Sequence, residues 1–125
     1  MKKLLQIVLV SSLSLLCFSC YYDELIDEPI AEIPVDPEDP DYKEVFYGAD
    51  IQPIWDAQCI GCHNQNNKLD LRVDVSHNEL VPQYVIAEDA DKSPLVIQLE
   101  SGHYTPNAGD MSLIKGWINQ GADNN

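Results

Sequence analysis

The sequence predicts one mainly helical domain of 82 residues, 44–125, behind an export signal and an acidic tether. Two observations predict the helices. From residue 50 onward, apolar residues recur mostly at helical spacing, and residues that favour helix starts and stops bound these runs. A domain this small has a marginal core and needs a further staple, and its only cysteines are Cys59 and Cys62. A covalent staple must therefore use these two residues.

Residues 1–19 have the pattern of an export signal. Lys2 and Lys3 form a positive start, and the apolar stretch from Leu4 to Phe18 is too short to be a membrane-spanning helix. The stretch ends in Cys17-Phe18-Ser19-Cys20, which resembles the lipobox of bacterial lipoproteins. We expect a lipid on Cys20, with cleavage without lipid or an uncleaved anchor as the alternatives.

Residues 20–43 are predicted to form a disordered acidic tether. Tyr21 to Lys43 contains nine carboxylates, four prolines and no glycine, and no apolar pattern long enough to bury a face. At about 3.1 Å per residue, such a tether reaches roughly 70 Å from a membrane. We expect an exported, lipid-anchored protein at the outer membrane, on its periplasmic side or at the cell surface.

The net charge limits the possible partners. The whole chain carries −14, and loss of Lys2 and Lys3 with the signal leaves −16. This charge excludes nucleic acid as a partner and argues against binding to anionic headgroups, so the membrane contact is expected to be the lipid itself. The negative charge either keeps the protein soluble or steers a basic partner toward it. The sequence leaves the oligomeric state open.

The first helix is predicted to begin with Asp50 as its N-cap and to end near Cys59. Pro53 falls in its first turn, where the missing N–H is harmless, and the apolar residues are at helical spacing. After a polar loop, residues 69–75 alternate apolar and polar side chains and predict a short strand.

Two further helices are predicted in the second half. Ser93-Pro94 opens one, and Gly102 stops it. The last helix runs from an Asp110 cap to Gly121, whose position suits a left-handed C-terminal cap. The tryptophans at positions 55 and 117 are both expected in the core.

The motif Cys59-Ile60-Gly61-Cys62-His63 has four possible chemistries. A disulfide across two residues is strained and closes a tiny loop. A redox dithiol needs its cysteines at a helix N-terminus, whereas here a helix precedes them. A zinc site needs four ligands, and no second paired motif supplies them. Covalent haem attachment uses all three residues: two thiols for the porphyrin vinyl groups and His63 for the iron. We expect one covalent haem c.

The chain resembles the small class I cytochromes c, in particular the single-haem domains of bacterial lipoproteins. The residues that carry the resemblance are Asp50 to Trp55 before the haem motif, Leu69 to Arg72, Ser93 to Leu95, and the closing segment Leu113 to Ala122. The resemblance implies an all-helical fold around the haem. It also implies that the first and last helices cross beside the haem, with Trp55 and Trp117 at the crossing.

The second iron ligand is left open by the sequence. Members of the family commonly supply a methionine before the closing helix, and this chain has His103-Tyr104-Thr105-Pro106 there instead. His103 and Met111 are therefore the two candidates, with His77 or an open site as the remaining alternatives. By its pattern Met111 is a core residue, and His77 is expected in an exposed loop.

The predicted function is one-electron transfer between redox partner proteins outside the cytoplasm. No triad, paired carboxylates or phosphate-binding loop is apparent, so no residue is expected to act as a catalytic acid, base or nucleophile. Three alternatives stay open: an electron-transfer subunit of a dehydrogenase or oxidase, a haem-based ligand sensor, and a surface lipoprotein with a structural haem.

Overall fold

A computed structural model describes residues 31–125, and within this range the chain is helical without strands. A π-helical turn, Tyr47–Ile51, runs directly into α1. The four α-helices are α1 (Gln52–Gln58), α2 (Ser76–Leu80), α3 (Pro94–Glu100) and α4 (Ala108–Asn119). The predicted all-helical class is confirmed. The predicted signal peptide, Cys20 and the first part of the tether lie outside the described residues.

The prediction that Asp50 caps α1 is wrong. Asp50 lies inside the π-helical turn, and its carboxylate accepts a hydrogen bond of 2.9 Å from the backbone N–H of Phe46, four residues earlier. The carboxylate therefore serves the start of the π-helical turn and not that of α1. Pro53 does occupy the first turn of α1, as predicted.

The strand predicted over residues 69–75 is also wrong. These residues form bends and turns, and the backbone N–H groups of Val75 and Ser76 both donate to the carbonyl of Arg72. Leu71 is buried, but Val73 is 64% exposed, so the alternation does not face a core. Since no second strand lies among residues 31–125, the backbone bonds locally and leads into α2, which the sequence pattern did not predict.

The two later helices match their predictions except at one cap. α3 begins directly after Ser93 and ends at Glu100, two residues before Gly102, which has φ +90°. In α4 the N-cap is Asn107, whose side-chain oxygen accepts from the N–H of Asp110, so the predicted Asp110 cap is wrong. The left-handed turn at Gly121, φ +114°, is confirmed.

Both tryptophans are core residues, as predicted, and each is 1% exposed. Trp117 belongs to what we call the aromatic cluster, which consists of Tyr47, His77 and Trp117. The Tyr47 ring lies 4.9 Å from the His77 ring and 5.0 Å from the Trp117 ring, between centroids. The prediction of His77 in an exposed loop is wrong, because it lies half-buried in α2. The π-helical turn packs against both α1 and α4.

The segment from Ala31 to Lys43 has no helix and is mostly exposed, but it lies along α4. Ile33 is half-buried over Gly116, so closely that a Cβ at Gly116 would be 3.0 Å from Ile33 Cδ1. The side-chain amide of Gln120 donates to the carbonyls of Pro34 and Lys43, at 3.3 and 2.9 Å. Across residues 31–125, no helix has the length and apolar character needed to span a membrane.

Candidate functional site

The cysteine motif lies at the C-terminal end of α1, where the sequence predicts it. Cys59 is the C-cap residue, and its N–H donates to the carbonyl of Trp55 at 2.8 Å. The next turn closes when the N–H groups of Cys62 and His63 donate to the carbonyl of Cys59, at 3.1 and 2.8 Å. A single turn of backbone therefore holds both cysteines and the histidine.

The two cysteines differ in their environments. Both are free thiols; Cys59 is half-buried and Cys62 is exposed. Burial raises the pKa of the Cys59 thiol, and the carbonyl end of a helix also disfavours a negative charge. Thiolate chemistry at neutral pH, as a redox dithiol requires, is therefore disfavoured at Cys59.

His63 is held by its backbone, while its ring nitrogen is left without a partner. Its carbonyl accepts from the N–H of Leu71 at 3.0 Å, and the carbonyl of Leu71 accepts from the Gln52 side chain at 2.9 Å. The Nδ1 atom of His63 is buried and makes no hydrogen bond. An unsatisfied buried polar atom costs about 1–3 kcal/mol, so it calls for an explanation.

One other buried side-chain polar atom in residues 31–125 lacks a partner: Nε1 of Trp55, one turn before Cys59. The indole lies near the Tyr47 hydroxyl but not in hydrogen-bonding geometry. Trp117, equally buried, donates its indole N–H to the carbonyl of Asp123 at 2.9 Å. The two buried side-chain atoms without a partner therefore belong to the last turns of α1 and to the cysteine motif.

The structure brings His103 next to His63, and we call these two residues the histidine pair. Their ring centroids are 5.9 Å apart and their planes are inclined at 69°. His103 is exposed in the loop between α3 and α4, 40 positions further along the chain. No group of three or more His, Cys, Asp or Glu side chains in the described part of the chain is placed to hold a metal ion together.

The other two predicted ligand candidates are already packed by protein. Met111 is 2% exposed, in the first turn of α4, as part of the hydrophobic core. His77 Nε2 lies 2.9 Å from the carbonyl of Ala122, and the ring contacts Tyr47 and Trp117.

Sequence reasoning missed Gln58, which connects three parts of the site. Its side-chain amide donates to the Asp110 carboxylate at 2.8 Å, and its side-chain oxygen accepts from the Tyr104 hydroxyl. Gln58 precedes Cys59 in the chain, and Tyr104 follows His103. The end of α1 is thereby joined to the start of α4 and to the loop that carries His103. The only signal in the sequence is the position of Gln58 beside the motif.

No protein-family model, curated protein or solved structure matches this chain. A functional interpretation therefore depends on the residues and geometry of the site itself.

Proposed function

We propose that this protein is an exported monohaem c-type cytochrome that carries single electrons between redox partner proteins. The observation that carries the proposal is the motif Cys59-Ile60-Gly61-Cys62-His63, folded into one turn with two free thiols. His63 adds a buried ring nitrogen that no protein group satisfies.

The residues fit the covalent chemistry of haem attachment. Cys59 and Cys62 would hold the porphyrin, each through one thioether formed by adding its S–H across a vinyl double bond, with sulfur on one vinyl carbon and hydrogen on the other. This reaction consumes neutral thiols and adds no charge to the half-buried Cys59. His63 directly follows Cys62 and would ligate the iron. Gly61 leaves room beside its backbone, since a Cβ there would meet no atom within 4 Å.

A bound haem would supply a one-electron couple through its iron. The contribution of the chain is to hold the group rigidly, and several contacts around the motif serve this purpose. Leu71 fixes the His63 backbone from one side, and Gln58 fixes the end of α1 from the other. Such a rigid, largely protein-held site suits electron transfer better than a reaction that needs a substrate pocket.

The location and partners are part of the same proposal. A lipid on Cys20 would hold the domain at a membrane, and soluble or membrane-bound redox proteins would be its partners. Mass spectrometry of the purified mature N-terminus tests the lipid: an acylated Cys20 is expected, and an unmodified N-terminus elsewhere contradicts it.

Covalent attachment is tested on protein exported by a host that matures c-type cytochromes. After denaturation and extraction with acidified organic solvent, the red colour should stay on the polypeptide of the original protein. It should be lost from the Cys59→Ser/Cys62→Ser variant and kept in Cys17→Ser, the matched control. A colourless original chain with the mass of the bare polypeptide overturns the proposal.

A further inference from the structure

We infer that His103 is the second axial ligand of the iron, so that the histidine pair His63 and His103 forms a bis-imidazole site; this inference rests on the proposed function. It identifies which of the candidates completes the coordination, a choice that the sequence leaves open.

The first support is the geometry of the histidine pair. Two imidazole rings that each place one nitrogen about 2 Å from a common metal ion have centroids roughly 6 Å apart. The observed separation is 5.9 Å. An ordinary contact between two aromatic rings has a similar centroid distance, so the distance agrees with shared iron binding and also with simple ring packing. The selection comes from the surroundings of each candidate.

The second support is that the loop carrying His103 is fastened to the helix that carries the haem motif. The hydroxyl of Tyr104 donates to the side chain of Gln58, which directly precedes Cys59. The turn at Gly102, φ +90°, directs the chain away from α3 immediately before His103. Thr105 Oγ1 donates to the carbonyl of Leu99 at 3.4 Å and ties the loop to α3. The Tyr104 contact therefore keeps the loop that carries His103 close to the end of α1, and the Thr105 contact fixes the same loop to α3.

The third support is that the competing ligands have other roles. Met111 is 2% exposed in the core, and its sulfur would have to leave that packing to reach the iron. His77 is engaged with Ala122 and lies inside the aromatic cluster. His103 is neither buried in the core nor bonded within the aromatic cluster. Its ring is exposed, and within residues 31–125 the ring that lies against it is that of His63. Ligation by His103 thus needs the least rearrangement of the protein.

The consequence is a six-coordinate iron with two nitrogen ligands. Methionine ligation raises the reduction potential relative to a second histidine, so the bis-imidazole form belongs to the lower-potential cytochromes. The partners of this protein are then expected at the low-potential end of an electron-transfer chain.

The experiment compares spectra of the haem-loaded full chain with those of His103→Ala and Met111→Leu. For the original protein, a low-spin spectrum without the red-end sulfur-to-iron band is expected. His103→Ala should become largely high-spin and bind CO rapidly, and added imidazole should restore the low-spin form. Met111→Leu should keep the original spectrum, and so should His77→Gln, the matched histidine control.

Three results overturn the inference while leaving the proposed function intact: a sulfur-to-iron band that Met111→Leu abolishes, a His103→Ala variant that stays low-spin, or a spin state that only His77→Gln changes. Each would come from protein that still carries covalent haem. Absence of covalent haem overturns the proposed function itself. If His103→Ala misfolds, His103→Met is the second variant; it should gain the sulfur-to-iron band, and its absence in folded protein counts against the inference.

Discussion

The aromatic cluster and the histidine pair are both built from rings at close contact distances, but they differ in how their polar atoms are satisfied. In the aromatic cluster, the Tyr47 hydroxyl donates to Ser76 at 2.7 Å. His77 and Trp117 each reach a backbone carbonyl near the C-terminus at 2.9 Å. In the histidine pair, the buried Nδ1 of His63 has no partner, and His103 is exposed to solvent.

In the aromatic cluster, protein groups satisfy the polar atoms of the rings. In the histidine pair, they leave a buried ring nitrogen without a hydrogen bond. The rings of the aromatic cluster have their hydrogen bonds and packing, which makes the cluster a stabilising element. The histidine pair lacks such partners and lies beside two free thiols, which is the combination expected of a binding site. Mutations in the two regions should therefore have different effects.

The largest effect on stability is expected from removing one large side chain of the aromatic cluster. Trp117→Ala should lower the free energy of unfolding by about 3–5 kcal/mol, since it deletes a fully buried indole. This is a large fraction of the stability of a small domain. Urea denaturation of the haem-loaded protein, followed by circular dichroism, measures the loss. Val73→Ala, at a site 64% exposed, is the control and should change stability by less than about 0.5 kcal/mol.

A smaller but sharper effect is expected from one substitution made at both tryptophans. Trp117→Phe removes an indole N–H that donates to Asp123, whereas Trp55→Phe removes one without a hydrogen bond. Because the two sites are equally buried, Trp117→Phe should cost about 1 kcal/mol more in unfolding free energy. Equal losses in matched urea titrations would show that the two tryptophans do not differ in hydrogen bonding as the structure indicates.

The smallest effect concerns the reactivity of the two free thiols. In haem-free protein at pH 8, iodoacetamide should label exposed Cys62 several-fold faster than Cys59, whose pKa is raised by burial. Raising the pH should speed the labelling of Cys59, because a larger fraction of its thiol then loses its proton. Peptide mass spectrometry gives the two rates. In urea both cysteines should react equally, and equal rates without urea would contradict the burial of Cys59.

Local signals made three of the helices and the position of the cysteine motif predictable from the sequence. Ser93-Pro94 and Gly102 bracket α3, and the placement of Cys59 after a helix follows from the periodicity of residues 51–58. The two wrong predictions of helix caps occur where more than one nearby side chain could bond to the same stretch of backbone. Asp50 bonds back to Phe46, and Asn107 takes the capping role expected of Asp110.

The remaining features depend on contacts between distant parts of the chain, which no local pattern encodes. His103 meets His63 across 40 positions, and Gln58 meets Tyr104 across 46. The alternation over residues 69–75 indicates a strand only if another strand is available, and none is present in the described residues. For this reason the sequence left both His103 and Met111 as candidates, and the structure adds that His103 lies beside His63 while Met111 is buried in the core.

The contact of Ile33 with Gly116 changes how far the domain would extend from a bilayer if Cys20 carries a lipid. Because Ala31 to Lys43 lies along α4, only the residues before Ala31 would separate the domain from a lipid on Cys20. A chain of that length spans at most roughly 35 Å, about half the reach expected for the whole tether. An electron donor or acceptor would then have to approach the membrane surface closely. The short distance from Cys20 to Ala31 would keep the domain from meeting partners far from that surface.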